Sequence, residues 1–203
     1  MDERESIVAA VDRGGGRPAV TTAHELAAVA QRLFVRKGFE QTSIDDIADA
    51  AEIGRRTFFR YFPTKADVLF VESPAELARL RDGLRSAPSD QSYREAITRA
   101  VVGALRIAPG EEEWALQRAQ VILSVPTLQA HAAVVFAGWR GAAADYARMR
   151  FPDDELFATV VGHAVLAATL AAHEYWIAHP EVALSQRLRD VLKLLLPPEP
   201  TGR

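Results

Sequence analysis

The spacing of apolar residues along the chain predicts a protein built from α-helices. Apolar side chains recur at helical spacing from Leu26 to Phe34, behind a Thr22–Glu25 capping box. Gly38 follows two basic residues and supplies a stop signal, so the first helix is predicted over about 22–37. No stretch shows the strict alternation of apolar and polar residues that a half-buried strand requires.

Two short helices are predicted next. A cap at Thr42 or Ser43 opens a helix of about two turns, and Gly54 lies where we expect a tight turn with unusual backbone angles. A third helix then runs from Arg55 to Phe62 and ends at Pro63. Two short helices joined by a tight turn predict a helix-turn-helix over 43–62.

The rest of the chain predicts a larger helical body. The run Ser73-Pro74-Ala75-Glu76 is itself a helix start, so we expect a fourth helix that is broken near Ser73. Prolines separate further helices at about 74–86, 91–107, 111–124, 127–150, 154–179 and 181–196. The expected organisation is a flexible arm (1–19), a three-helix DNA-binding domain (20–80) and a C-terminal helical bundle for ligand binding and dimerisation (81–203).

Composition narrows the class of protein. The 203 residues are 49% hydrophobic and 25% charged with no cysteine, which favours a soluble globular protein without disulfides or thiolate metal sites. The start MDERESIVAA lacks the basic region of a secretory signal, and the most apolar stretch, 158–172, is shorter than the roughly 20 residues of a membrane span. We therefore expect a cytoplasmic protein with no membrane role.

Charge places any nucleic-acid contact in a local patch, because the net charge of −3 disfavours a globally basic binder. Residues 53–65 contain Arg55, Arg56, Arg60 and Lys65 and no acidic residue. On charge alone, a solvated helix face remains the alternative interpretation of this patch.

The run TSIDDIADAAEIGRRTFFRYFPTKADVL resembles the tetracycline-repressor (TetR) family of regulators, and the likeness extends from Glu25 to Leu69. Spacing, caps and the Tyr-Phe-Pro-Thr-Lys tail agree together. The resemblance implies a homodimer that binds double-stranded operator DNA, most simply as a repressor. One departure is Phe59, where the family often has tyrosine, so this position lacks the hydroxyl that the family pattern offers to a phosphate.

This resemblance, together with helix-turn-helix geometry, gives a set of expected DNA contacts. Recognition helices place their N-terminal residues at base edges in the major groove while flanking residues hold phosphates. We expect Arg55 or Arg56 to contact guanine. The full predicted set is Thr42, Ser43, Arg55, Arg56, Thr57, Arg60, Tyr61 and Lys65, although helix capping alone explains Thr42 and Ser43, and Arg60 is as well explained by an exposed ion pair.

A ligand cavity is expected among the middle helices, where large apolar side chains lie beside a few polar ones. The candidates are Trp114, Arg118, Leu123, Phe136, Trp139 and His163, and ordinary core packing is the alternative for each. The motif at 53–62, with VPTLQAH at 125–131, resembles the actinobacterial branch that includes the mycofactocin-system regulator, whose C-terminal domain is described as binding acyl-CoA-like molecules. That resemblance implies a fatty acyl thioester as a plausible effector.

The last two helices are expected to form the dimer interface. Small residues on the 154–179 helix allow close approach of another helix, and leucines on the last helix follow near-heptad spacing. The predicted interface residues are Ala164, Ala167, Ala168, Ala171, Leu184, Leu188, Val191 and Leu195, with an intramolecular core as the alternative.

Two other functions are alternatives to a ligand-controlled regulator. An enzyme is disfavoured because the five histidines show no metal-ligand spacing and no nucleophile or phosphate-binding motif occurs, so we expect no cofactor, no metal and no catalysis. A helix-turn-helix dimer that binds DNA constitutively, without a small-molecule effector, stays open.

Overall fold

The computed structural model describes residues 22–200, and within that range it contains helices and no strand. The arm predicted over 1–19 lies outside the described residues. The all-α prediction is confirmed. Ten α-helices and one 3₁₀ helix occur in this order: α1 (Ala23–Lys37), α2 (Ile44–Ala50), α3 (Arg55–Tyr61), the 3₁₀ helix (Ala66–Phe70), α4 (Ser73–Arg85), α5 (Tyr93–Ala104), α6 (Glu112–Ser124), α7 (Pro126–Val135), α8 (Ala137–Arg150), α9 (Glu155–Ala178) and α10 (Leu184–Leu195).

The first three helices form a small module around an apolar cluster. α1 begins with the predicted capping box, in which the Thr22 hydroxyl accepts from the Glu25 N–H and the Glu25 carboxylate accepts from the Thr22 N–H. It ends at Gly38, whose φ of 88° explains the glycine there. The buried cluster joins α1 to α2, α3, the 3₁₀ helix and α7, and its fully buried members include Leu26, Phe34, Ile47, Phe58 and Leu69.

The turn between α2 and α3 differs from the prediction. Gly54 has φ −77° and ψ 151°, an extended conformation open to any residue, and it serves as the N-cap of α3. The left-handed residue is Glu52, with φ 57°. Glycine suits the cap position because it leaves the first N–H groups of the helix accessible.

The predicted break near Ser73 is confirmed. The 3₁₀ helix ends at Phe70, and α4 begins at Ser73 with Pro74 in its first turn. Proline is favoured there because its missing N–H would have no partner within the helix. The helical path out of the small module is therefore interrupted before it reaches the larger body.

The predicted helix over 127–150 is divided in two. Phe136, with φ −82° and ψ 0°, separates α7 from α8. Gly138 follows two residues later, in the first turn of α8. The centre of the Phe136 ring lies 6.3 Å from that of Phe70 and 6.0 Å from that of Trp139. The Phe136 N–H still donates to the Ala132 carbonyl and its carbonyl still accepts from the Arg140 N–H, so helical hydrogen bonds continue while the backbone angles at Phe136 depart from those of a regular helix.

The larger body is a helical bundle in which α9 packs between α8 and α10, and α4 packs against α5. A Cβ added at Gly162 of α9 would lie 2.7 Å from the Arg140 carbonyl oxygen of α8. The glycine therefore permits close contact between α8 and α9 of one chain.

Helix α9 is long and apolar enough, by length and composition, to meet a simple test for a membrane span. However, nine of its residues are buried in the protein, among them Val161, Val165 and Ala168. A central helix of a soluble bundle has this same composition, and the packing of α9 agrees with that assignment.

Candidate DNA-binding surface and ligand cavity

Helix α3 presents a basic, exposed face. Phe58 is fully buried and anchors the helix to the module, whereas Arg55, Arg56, Phe59 and Arg60 are exposed. This face runs along most of the short helix, and the first turn of the helix carries no acidic residue. It has the charge and the shape to enter a DNA groove.

Arg55 is held by groups on two helices. Its Nη1 donates to both carboxylate oxygens of Asp45 on α2, at 2.8 and 2.9 Å. Its guanidinium also lies 5.5 Å from the centre of the Phe59 ring. Phe59, the position that departs from the family pattern, thus packs against an arginine at the start of α3.

The remaining predicted contacts on α3 lie on or beside the same face. Arg56 is exposed and Thr57 half-buried. The Arg60 guanidinium lies 5.2 Å from the centre of the half-buried Tyr61 ring. These residues are brought together within one helix.

The prediction that Thr42 contacts DNA is corrected by its burial. It is only 1% exposed, its hydroxyl donates to the Gly38 carbonyl at 2.7 Å, and its N–H donates to the Phe39 carbonyl. A side chain in this position stabilises the loop between α1 and α2 and does not reach DNA. Ser43, by contrast, is exposed and forms a capping box with Asp46.

Lys65 is tied to the same loop. Its Nζ donates to the carbonyls of Phe39 at 2.6 Å and Thr42 at 2.9 Å, and it lies 4.2 Å from the centre of the Phe39 ring. An ammonium group has three donors, so one remains for a phosphate. Replacing Lys65 would therefore disturb the loop as well as any DNA contact.

Lys37 and Asp46 join α1 to α2. Lys37 donates to Asp46 at 2.7 Å, and this hydrogen bond, together with those from Ser43, holds the pKa of the Asp46 carboxyl far below its usual range. The carboxylate is therefore ionised over the whole physiological pH range, which keeps the capping box of α2 intact.

A cavity of about 870 Å³ lies between the small module and the larger body. It has the size of a typical small-molecule site. Of the predicted ligand residues, Trp114, Arg118, Leu123, Phe136 and His163 line it. Trp139 does not line it: the residue is buried in the core and packs against Phe136, so its assignment to the cavity is wrong.

One charged pair lies in the cavity wall. Arg118 of α6 donates to Glu76 of α4 at 3.3 Å, and the two side chains are 17% and 7% exposed. The Arg118 guanidinium also lies 5.0 Å from the centre of the Trp114 ring. His173 also lines the cavity, and its Nδ1 forms a hydrogen bond with the Thr169 carbonyl. Burial lowers the pKa of His173, so the side chain is neutral at physiological pH.

The cavity wall is continuous with the DNA module. Leu69 and Phe70 of the 3₁₀ helix line the cavity and belong to the buried cluster of the module. Glu72, also in the lining, pairs with His24 of α1. The Gln31 side chain of α1 donates to the Trp114 carbonyl of α6 at 2.8 Å.

The predicted dimer residues fall into two groups. Ala168, Leu184 and Leu188 are buried in the core of the protomer, so they cannot contact a partner and their assignment is corrected. Ala164 and Val191 pack partly against that core, while Ala167, Ala171 and Leu195 keep some exposure. The heptad pattern of α10 reflects packing against α9 within one chain.

Several cavity residues were missed from the sequence. The sequence places Glu76 in a helix start and Leu69 at the end of the family-like segment, yet both line the cavity. Acids in a first turn are ordinary, so nothing local marked Glu76. His173 was weighed only as a metal ligand; among residues 22–200, no group of three potential ligands converges on one point.

Sequence comparison agrees with both parts of this architecture. The profile described as "Bacterial regulatory proteins, tetR family" matches residues 26–71, and the profile described as "MftR C-terminal domain" matches residues 91–200. The chain belongs to the TetR family of bacterial transcriptional regulators, whose members bind operator DNA and dimerise.

Within that family, the chain is 33% identical to the mycofactocin biosynthesis transcriptional regulator MftR of Mycobacterium tuberculosis, over 85% of this chain and 88% of that protein. Two solved structures share the fold. FadR of Bacillus subtilis, in complex with stearoyl-CoA, gives a TM-score of 0.60 at 14% identity, over 84% of this chain and 96% of that one. FadR of Thermus thermophilus, in complex with lauroyl-CoA, gives 0.52 at 22% identity, over 89% and 100%.

Proposed function

We propose that this TetR-family regulator represses transcription from a palindromic operator and is released by a long amphipathic ligand of the fatty acyl-CoA class. The observation that carries the proposal is the 870 Å³ cavity whose wall includes Leu69 and Phe70 of the DNA module. A ligand in that space contacts the element that positions α3. Residues 20–80 form the DNA-binding domain in this proposal, and residues 81–203 form the domain for ligand binding and dimerisation. The protein acts in the cytoplasm.

At the DNA, each group on and around α3 has a distinct task. Arg55 and Arg56 face the base edges, where a guanidinium donates two hydrogen bonds to guanine. Ser43, Thr57, Arg60, Tyr61 and the remaining donor of Lys65 hold phosphates on either side. Phosphate contacts fix the position of α3, and the arginines provide the sequence preference.

At the cavity, the lining divides into regions of different chemistry. The apolar end is the part of the wall that packs on the module's buried cluster, with Phe70, Ile122 and Phe136, and Glu72 lies two residues beyond Phe70. The end at the loop after α5 is exposed to solvent and carries Arg106. An acyl chain suits the apolar end, and the phosphates of a coenzyme A head group suit the exposed arginine.

Release of the operator requires a ligand that prefers one conformation of the protein. The break between Phe70 and Ser73 lets the 3₁₀ helix move relative to α4. An acyl chain against Phe70 shifts that segment and, through it, α3. Two recognition helices must match the groove repeat of about 34–36 Å, so a small shift is enough to weaken binding.

For the dimer, we propose the exposed apolar residues of α9 and α10 as the contact surface. Leu156, Val160 and Tyr175 follow one face of α9, and Leu194 and Leu195 are exposed on α10. Exposed apolar side chains grouped on two adjacent helices are typical of a protein interface.

A selection experiment tests this proposal. Purified protein is used to select from fragments of its own genome, and the protected sequence is then mapped with and without lauroyl-CoA. We expect an inverted repeat whose protection is lost with the ligand. Protection that persists at saturating ligand would favour the alternative, a constitutive DNA-binding dimer, and selection of no specific site would contradict the regulator assignment.

A further inference from the structure

We propose that the Glu76–Arg118 pair makes the cavity select ligands with a neutral carbonyl, such as an acyl thioester, over free fatty acids. This inference rests on the proposed function and deepens it, since it assigns the group that distinguishes an activated acyl chain from its hydrolysed form. Glu76 is the specificity-determining residue in this proposal, and Arg118 donates the hydrogen bond to the ligand carbonyl.

The geometry of Arg118 leaves it able to donate to a ligand. The guanidinium has five N–H groups, and among residues 22–200 a single hydrogen bond is found, from Nη2 to Glu76. Trp114 lies against it at 5.0 Å and limits its movement. Since Arg118 lines the cavity, its other N–H groups are accessible to a ligand carbonyl.

The positive charge of Arg118 is already balanced. Glu76 lies 3.3 Å away and is 7% exposed, so water does not screen its negative charge effectively. A ligand carboxylate placed against Arg118 would approach the Glu76 carboxylate closely as well. Two carboxylates at one site repel each other, and one must then take up a proton or leave.

No other cation among the described residues of the wall compensates. Within residues 22–200, four carboxylates and three guanidinium groups line the cavity, so the formal charge of this lining is −1 with both histidines counted as neutral. Arg79 donates Nε and Nη2 to the Ala104 carbonyl at the C-terminal end of α5, where the helix dipole is negative. Arg106 lies on the exposed loop after α5, where solvent screens its charge.

A thioester carbonyl is uncharged, so it can accept a hydrogen bond from Arg118 without being repelled by Glu76. Its oxygen accepts from an N–H of Arg118 while the ion pair with Glu76 stays intact. Removing a free acid from water also costs more than removing a thioester, because the carboxylate is ionised at neutral pH. The pair thus favours the thioester by hydrogen bonding and disfavours the acid by repulsion and desolvation.

The first measurement uses the wild-type protein with three probes that share one chain: laurate, the lauroyl thioester of N-acetylcysteamine, and lauroyl-CoA. The N-acetylcysteamine thioester is neutral and lacks the coenzyme phosphates, so it isolates the carbonyl. Binding is followed by calorimetry. We expect the neutral thioester to bind more tightly than laurate by on the order of tenfold, which corresponds to about 1.4 kcal/mol.

The second measurement tests the residue. Glu76→Gln leaves Arg118 without its counter-charge, so laurate should bind more tightly by on the order of tenfold, with little change for the neutral thioester. Glu174→Gln is the matched control, because it removes the same charge from another cavity-lining position. Circular dichroism melting shows whether each variant is folded. If Glu76→Gln does not fold, the comparison of the three probes on the wild-type protein still tests the proposal.

The outcomes separate this inference from the proposed function. Equal binding of laurate and the neutral thioester, or tight binding of lauroyl-CoA alone, would overturn the selection by Glu76 while leaving operator release by acyl-CoA in place. A change as large in Glu174→Gln as in Glu76→Gln would also overturn it. If none of the three probes binds the wild type, the proposed effector class fails, and this inference fails with it.

Discussion

Asp45 and Arg55 show how an exposed ion pair contributes to function rather than to stability. Both side chains are more than half exposed, so the pair adds little to the free energy of folding. It does restrict the guanidinium between Asp45 and the Phe59 ring. An arginine held in one orientation loses less entropy when it binds a base edge, and we therefore assign Asp45 a positioning role.

Replacing Asp45 should relax base selection without weakening general DNA binding. In Asp45→Asn, the preference for guanine at one position of each half-site should fall by part of the about 1–3 kcal/mol that such a contact provides. Affinity for unrelated DNA should rise slightly, because one negative charge near the phosphates is lost. Selection from a randomised DNA library measures both quantities.

Asp49→Asn is the control, because Asp49 is exposed on the same helix and its removal changes the same charge. It should raise affinity for unrelated DNA and leave base preference intact. Identical base preferences in Asp45→Asn and the wild type would refute the positioning role.

His173 gives the protein a pH dependence with a definite sign. Its folded-state pKa is lowered from 6.5, mainly by burial. Below about pH 6.5 the unfolded chain therefore binds a proton that the folded protein does not, and stability falls as the pH falls. Urea unfolding at about pH 7.5 and 5.5 should show a smaller loss for His173→Gln than for the wild type.

The exposed His179 provides the comparison, since His179→Gln should keep the wild-type pH dependence. A wild-type slope retained in His173→Gln would show that another group is responsible.

Among the elements, the glycines of the bundle have separable roles. Gly162 lets α9 lie against the Arg140 carbonyl, whereas a Cβ at Gly141 meets nothing within 4 Å. Gly162→Ala should lower the free energy of unfolding by about 1–3 kcal/mol through overpacking against backbone. Gly141→Ala should raise it by about 0.5–1 kcal/mol, because alanine favours the helix. Equal effects in the two variants, measured by urea unfolding, would contradict this assignment.

The elements also show how far the sequence predicts the structure. Local signals were sufficient where the chain itself provides the partner: the Thr22 and Ser43 caps and the Pro74 helix start lie where they were predicted. Local signals failed at Phe136, whose ring packs against Phe70 and Trp139, and at Gly54, because Glu52 adopts the left-handed conformation instead.

The same distinction applies to the sites. The basic face of α3 was predictable because its residues are consecutive and share one helix. The Glu76–Arg118 pair was not, since its members are 42 positions apart and meet only after folding. Likewise, the heptad-like leucines of α10 gave no indication of whether they face α9 or a partner.

Binding to a palindromic operator, as proposed above, requires two copies of the chain. Leu194 is 81% exposed on α10, so Leu194→Glu leaves the core of the protomer unchanged but places a charge in the proposed interface. We expect the dimer dissociation constant, measured by sedimentation, to rise by roughly tenfold or more, and operator affinity to fall with it.

Val134→Glu is the matched control, because Val134 is 75% exposed on α7, outside the proposed interface. It should leave the dimer intact. A dimer that dissociates in Val134→Glu and not in Leu194→Glu would place the interface elsewhere.

If one cavity couples an acyl ligand to DNA binding, ligand and operator must weaken each other's binding by the same factor, which calorimetry can measure. Lauroyl-CoA is titrated by calorimetry into the free protein and into its complex with the selected operator. We expect weaker ligand binding in the complex by about 1–3 kcal/mol, and an equal loss of operator affinity in the ligand-bound protein. Equal ligand affinities for the free and the operator-bound protein would contradict this coupling.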